Sequence, residues 1–182
     1  MLKSAQRIRM QLIENASGLS VFETLPPAVA VLKMSDLRNN STYGGLWEFI
    51  TMIVGDAELQ DMGGIGTIRS WEPESGEFGR YDIRFTEPFP NHFHNVSWEV
   101  IAVVRGWARI KLGGTVKEWV GGRYLSGGFT LEEDIGPGFV VVIPPNTPQA
   151  IELYKAALET NVLMSPPYDP KDSFTFEVPE VR

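Results

Sequence analysis

The stretch Asn91-His92-Phe93-His94-Asn95-Val96-Ser97-Trp98-Glu99, continuing through Val100-Ile101-Ala102-Val103-Val104-Arg105 to Gly106, decides how the rest of this chain is read. The 182 residues hold two histidines, and both fall here, two positions apart. On a β-strand, residues i and i+2 point to one face, so the two imidazoles project together. Glu99 follows after enough chain for a tight turn and heads a strongly apolar run. Two imidazoles and a carboxylate converging from neighbouring strands form a donor set that divalent first-row metals use. Taken alone, the pair also fits a solvated strand face with Glu99 at the surface. The apolar run weighs against that: an unpaired buried carboxylate is costly, and a metal is its natural compensation.

Outward from this stretch the pattern is β. Upstream, 29–32, 47–54, 65–71 and 80–85 read as strands; downstream come 108–112, 116–120, 123–125, 129–132, 139–143, 149–153 and 160–164. The pairs Gly113-Gly114, Gly121-Gly122 and Gly127-Gly128, with Gly136-Pro137-Gly138 and Pro144-Pro145, supply the turns. Many short strands so spaced predict an all-β sandwich or barrel rather than βαβ units. Residues 3–16 carry Ala5, Ile8 and Leu12 at helical spacing before Gly18. The expected organisation is an N-terminal helix and arm over 1–45, with 36–45 as loop, and one barrel domain over 46–182. The tail from Tyr168 is expected to be peripheral. No internal repeat is visible.

Composition removes several function classes. With 16 Lys and Arg against 23 Asp and Glu, the net charge is −7, and an electrostatic nucleic-acid surface is not expected. The absence of cysteine excludes disulfides, thiolate metal sites and a cysteine nucleophile. No segment approaches the ~20 apolar residues of a membrane span, and the first fifteen residues lack a signal-type apolar core. A cytoplasmic protein with no membrane partner is the expectation. The Gly pairs lack phosphate-loop context, and no Ser-His-Asp set can be assembled without taking a histidine from the metal site.

The pattern His92-x-His94-x4-Glu99-x6-Gly106 resembles the first motif of the cupin superfamily, small jelly-roll barrels. Thr86 stands where that motif has a glycine. Gly138-x5-Pro144 resembles the start of the second cupin motif, but there Asn146 stands for the usual Gly, Gln149 for the usual metal-binding His, and Leu153 for the usual Asn. The resemblance covers about residues 65–165. It implies a cupin-type double-stranded β-helix holding a divalent metal on His92, His94 and Glu99, with Gln149 at the fourth family position. It also implies a homodimer that exchanges N-terminal segments.

Gln149 has three readings: a neutral oxygen ligand to the metal, a hydrogen-bonding partner to something the metal holds, or plain polar lining. The second leaves a two-His, one-carboxylate triad with open positions, which suits Fe(II) and O2. The expected function is therefore a metal-dependent enzyme on a small oxygen-rich molecule. Fe(II) dioxygenation ranks ahead of isomerase, epimerase or lyase chemistry with Mn, Ni, Zn or Fe, in which Glu99 acts as a base. The competing expectation is a small-molecule-binding cupin without turnover. Arg84, Arg105 and Arg109 are candidate contacts for an acidic substrate, and Tyr124 and Tyr154 are candidate proton-handling phenols. Trp47, Trp71, Trp98, Trp107 and Trp119 are expected in the core or a subunit interface.

Overall fold

The structure, a computed structural model, describes residues 18–50, 59–62, 64–72, 76–119 and 123–178. The expected helix over 3–16 lies outside these residues. Among the described residues, fourteen strands form two seven-stranded sheets. Sheet I runs β1 (Ala30–Lys33), β11 (Phe139–Ile143), β6 (Trp98–Arg105), β13 (Leu158–Ser165), β4 (Gly79–Phe85), β3 (Gly66–Trp71), β2 (Leu59–Asp61). Sheet II runs β10 (Leu131–Ile135), β7 (Ala108–Leu112), β12 (Gln149–Leu153), β5 (Phe89–His94), β14 (Ser173–Glu177), β9 (Arg123–Ser126), β8 (Val116–Trp119). Neighbours are antiparallel except β14 and β9, which are parallel. From β4 to β7, and again from β10 to β14, the chain changes sheet at every strand. That alternation is the jelly-roll winding, and it makes sequence neighbours face one another across a barrel interior.

The centre of sheet I is buried on both faces over 100–103 and 140–143, which is why these strands read as continuous apolar runs. On β6, Val100 and Ala102 point outward, while Glu99, Ile101 and Val103 point inward. On β11, Val140 and Val142 are outward, and Val141 and Ile143 inward. The outer layer is covered by three short helices and their connections: α1 (Gly18–Glu23), α2 (Met34–Leu37) and α3 (Leu46–Ile50). These place Phe22, Leu25, Leu37, Leu46 and Ile50 on the sheet, with Trp47, Trp71 and Trp98 packed beside them. In sheet II the parity is set by β5: His92 and His94 face in, while Phe93 stacks on Phe174 outside, ring centroids 5.3 Å apart.

Two expectations are corrected. The segment expected as a strand over 47–54 begins as helix α3, and residues 51–58 lie outside the described set. Its buried residues Leu46 and Ile50 are four apart, a spacing that fits one face of a helix and one face of a strand equally well. The tail is not peripheral. Residues 173–177 alternate Ser-Phe-Thr-Phe-Glu and form β14, hydrogen-bonded between β5 and β9. The expected loop over 36–45 is mainly turns after α2.

Two motif positions explain themselves through the backbone. Gly106 has φ 88°, and a Cβ there would lie 2.3 Å from the Ala157 carbonyl oxygen. Asn146, where the resembled motif has glycine, also sits in the left-handed region at φ 59°; asparagine is the side chain that tolerates it best after glycine. Gly138 shares the positive φ, at 85°, but a Cβ there meets nothing within 4 Å. Gly138→Ala should therefore cost only the conformational penalty, about 1–2 kcal/mol. Gly106→Ala adds a backbone clash and should cost about 3 kcal/mol or more. Urea midpoints at unchanged slope measure both; equal costs would mean that the approach of Ala157 to Gly106 is relaxed in solution.

Candidate metal centre

Strands β5 and β6 follow one another in the chain but lie in facing sheets. His92 and His94 thus project from one wall of the barrel and Glu99 from the other, not from adjacent strands of one sheet. One donor atom from each of the three lies within 4.8 Å of the others. His94 Nε2 is 3.7 Å from Glu99 Oε2, and the two imidazoles stand nearly perpendicular with centroids 5.2 Å apart. All are buried, His92 at 4% and Glu99 at 8% exposure. His92 Nδ1 lies 2.9 Å from the Pro90 carbonyl oxygen, which can only accept. That bond puts the proton on Nδ1 and leaves the Nε2 lone pair free.

Gln149 sits directly across from His92 on β12, so both side chains enter the barrel together. It is 1% exposed, and its Nε2 donates to Glu99 Oε2 at 2.5 Å. Its Oε1 is buried with no hydrogen-bond partner. A bulge between this pair and Ile151–Phe89 brings Phe89, three residues before His92, onto the same inner face.

The sequence reading missed Asp172. This buried carboxylate, set by a 3-10 turn (Pro170–Asp172), accepts from the backbone N–H groups of Asn95 at 2.9 Å, Val96 at 3.0 Å and Ser97 at 3.1 Å, and from Ser97 Oγ at 2.8 Å. It caps the turn between the His strand and the Glu strand. From the other side, Asn146 donates from its backbone N–H to the His94 carbonyl (2.6 Å) and from Nδ2 to the Asn95 carbonyl (3.1 Å). The link spans 77 residues between Asn95 and Asp172, which is why spacing alone gave no sign of it.

The four side chains line one end of a cavity of about 500 Å³. Tyr81 and Tyr168 share that end: the rings of His94 and Tyr168 are 6.2 Å apart, and those of Tyr168 and Tyr81 6.4 Å. Tyr81 donates to Glu72 Oε1 at 2.7 Å and accepts from the Tyr168 N–H at 2.7 Å. Burial, and then the bond to Glu72, push its phenol far above the usual tyrosine range, so it stays protonated. The sequence reading did not single out Tyr81; the alternation Tyr81-x-Ile83-x-Phe85 puts it on one face with Ile83 and Phe85 but does not say that this face is the inner one. The phenols singled out earlier are elsewhere: Tyr124 packs on Phe93 and Phe174 outside sheet II, and the exposed Tyr154 bonds Asp134. None of the three arginines lines the cavity; Arg84 meets Glu159 at 3.8 Å, Arg109 meets Asp134 at 2.9 Å, and Arg105 is exposed. Trp107 is exposed against Phe139, and the side chain of Trp119 lies outside the described residues.

The donors fit a divalent ion: two neutral imidazoles and a carboxylate at short mutual distance, with an unpartnered amide oxygen beside them. No protein-family model and no curated protein matches the chain. Solved structures do. Oxalate decarboxylase from Bacillus subtilis, a protein with Mn(II) centres, superposes at TM-score 0.50 and 17% identity, covering 84% of this chain and 34% of that one. This chain thus spans about a third of its length. KdgF from Halomonas sp. aligns at TM-score 0.50 and 16% identity over 65% of this chain and 94% of that one. The cupin domain of Schizosaccharomyces pombe Cnp3 aligns at TM-score 0.46 and 11% identity, over 60% and 69%. The fold is the cupin barrel that the motifs implied. Among the described residues, no helix is long and apolar enough to cross a membrane.

Burial lowers the His92 pKa below its ordinary 6.5. Below pH 6.5 the unfolded chain takes up a proton that the buried ring resists, so the unfolded state binds more protons and stability falls with pH until the folded value is reached. In protein stripped of metal, the urea midpoint should drop as pH falls below 6.5. His92→Gln should lack that component of the drop; an identical pH profile in the variant would place the proton uptake at another group.

Proposed function

We propose that this protein is a metal-dependent cupin enzyme acting on a small oxygen-bearing molecule, as a non-haem Fe(II) dioxygenase. The observation that supports it best is the cluster of His92, His94 and Glu99 at the polar end of a largely apolar cavity. The ion would supply Lewis acidity and, as iron, electron exchange with O2. The protein's own part is positional. Pro90 fixes the His92 tautomer, Asp172 and Asn146 hold the turn around His94, and Gln149 orients Glu99 by donating to one of its oxygens. Dioxygenation places both oxygen atoms of O2 in the product and needs no further reductant.

A second reading, lyase or isomerase chemistry with Glu99 as base, draws on the same geometry: Glu99 borders the cavity as a carboxylate able to accept a proton, and the Tyr81 phenol, which stays protonated against Glu72, borders the same end as a polar contact for a bound oxygen. The test is the metal content of protein purified without added metal and without a histidine-rich tag. Iron, followed by substrate-dependent oxygen uptake, supports the first reading; metal without oxygen uptake supports the second. Absence of metal, with none bound at micromolar concentration, ends both.

Gln149→His should tighten metal binding at least about tenfold, since imidazole is the stronger donor at the position whose amide oxygen is unpartnered. Competition against a chelating dye measures it; unchanged affinity would put Gln149 on the cavity wall.

A further inference from the structure

The cavity is polarised along its length. At one end stand the metal-site residues with Tyr81, Glu72 and Tyr168. Cross-strand register then orders the wall: Tyr81 lies opposite Val162 and Ser70, Ile83 opposite Ile68, and Phe85 opposite Gly66. On sheet II the same order runs from Gln149 beside His92 to Ile151 beside Phe89. Ring contacts trace the passage from tail to head: Phe85 to Phe89 at 5.4 Å, Phe89 to His92 at 4.6 Å, His92 to His94 at 5.2 Å. The far end is therefore lined, among the described residues, by apolar side chains, Phe85, Phe89, Ile151, Ile65 and Met62. Among the described residues, no Lys or Arg lines the cavity, whereas two carboxylates, Glu72 and Glu99, do.

We infer that the cavity takes an amphipathic small molecule whose oxygen-bearing head, neutral or singly negative, lies among His92, His94, Glu99 and Tyr81, and whose apolar tail runs along Ile68 and Ile83 to Phe85 and Phe89. The head assignment rests on the metal reading of the triad; the tail assignment does not. The charge limit follows from the lining. A compact dianion would lose its water beside the buried Glu99, with the exposed Glu72 adding repulsion and no side-chain cation among the described lining residues to offset it, and a divalent ion already shared with Glu99 retains one unit of positive charge. The volume of about 500 Å³ is in the usual range for small-molecule sites and exceeds what a two-carbon diacid fills.

The test holds the head constant and varies the tail. Acetohydroxamate and octanohydroxamate present the same two-oxygen chelating group, and oxalate is the compact dianion. On metal-loaded protein, calorimetry should show octanohydroxamate binding at least about tenfold tighter than acetohydroxamate, since each buried methylene is worth up to about fourfold. Oxalate should be the weakest of the three. On metal-free protein, the neutral fluorophore N-phenyl-1-naphthylamine should bind with enhanced emission and be displaced by octanohydroxamate but not by oxalate. Ile83→Asp, or Ile68→Ser should that variant fail to fold, should weaken fluorophore binding and cut the chain-length advantage. Equal affinity for the two hydroxamates, tighter binding of oxalate, or no fluorophore binding each overturns the inference. Loss of the metal reading looks different: no metal is retained, yet the fluorophore still binds.

Discussion

Strand β6 is covered on both sides from Glu99 to Val103, by the α1–α3 layer outside and by the barrel interior inside, and the geometry of the candidate metal site depends on that double burial. A slip of one residue would drive the Glu99 carboxylate into the outer apolar layer beside Phe22 and Leu46 and turn Val100 into the cavity. Burying that carboxylate unpaired is not tolerable energetically, so the pairing of Glu99 with Ile143 and Met164 is strongly specified. Strand β6 thus has one allowed register, and that register aims one carboxylate inward.

The winding then supplies the partners. Because successive strands change sheet, the two histidines on β5 arrive opposite Glu99 and not beside it, and β12 delivers Gln149 next to His92 on the same wall. The turn joining β5 to β6 is held from two distant parts of the chain, by Asp172 and by Asn146. A carboxylate accepting three backbone N–H groups and a hydroxyl leaves that turn little freedom, so His94 and Glu99 keep their separation without being tied to each other directly. The C-terminal strand is accordingly part of the site's support: β14 pairs with β5 and brings Asp172 into place.

Local patterning made the barrel legible. Short alternating or wholly apolar runs bounded by Gly and Pro mark strands, and 108–112, 139–143 and 149–153 were readable to the residue. The three inward donors were legible because parity on a strand is a local property. What escaped detection was non-local or ambiguous in period. Leu46 and Ile50 fit a helix as well as a strand, and only the sheet beneath them selects the helix. Asp172 looks like any acidic residue after a proline, since its role depends on three N–H groups more than seventy positions upstream. Tyr124 and Tyr81 are equally plausible phenols in sequence, and the sheet face alone separates them: one stacks outside on Phe93, the other enters the cavity.

Gln149 ties the chemistry of the site to its shape. An imidazole at that position could exchange protons with Glu99, whereas an amide can only donate a hydrogen bond to it. Glu99 is therefore paired with a group that fixes its orientation without altering its charge. The donor set then carries a single negative charge, from Glu99 alone, and a divalent ion in it retains one positive charge. With Glu72 also on the lining, the balance favours a head that carries at most one negative charge, since among the described residues the wall beyond Tyr81 offers isoleucine, phenylalanine and methionine and no side chain that stabilises a second anion. The replaced histidine and the apolar far end thus point the same way, toward a head of low charge carried on an apolar body.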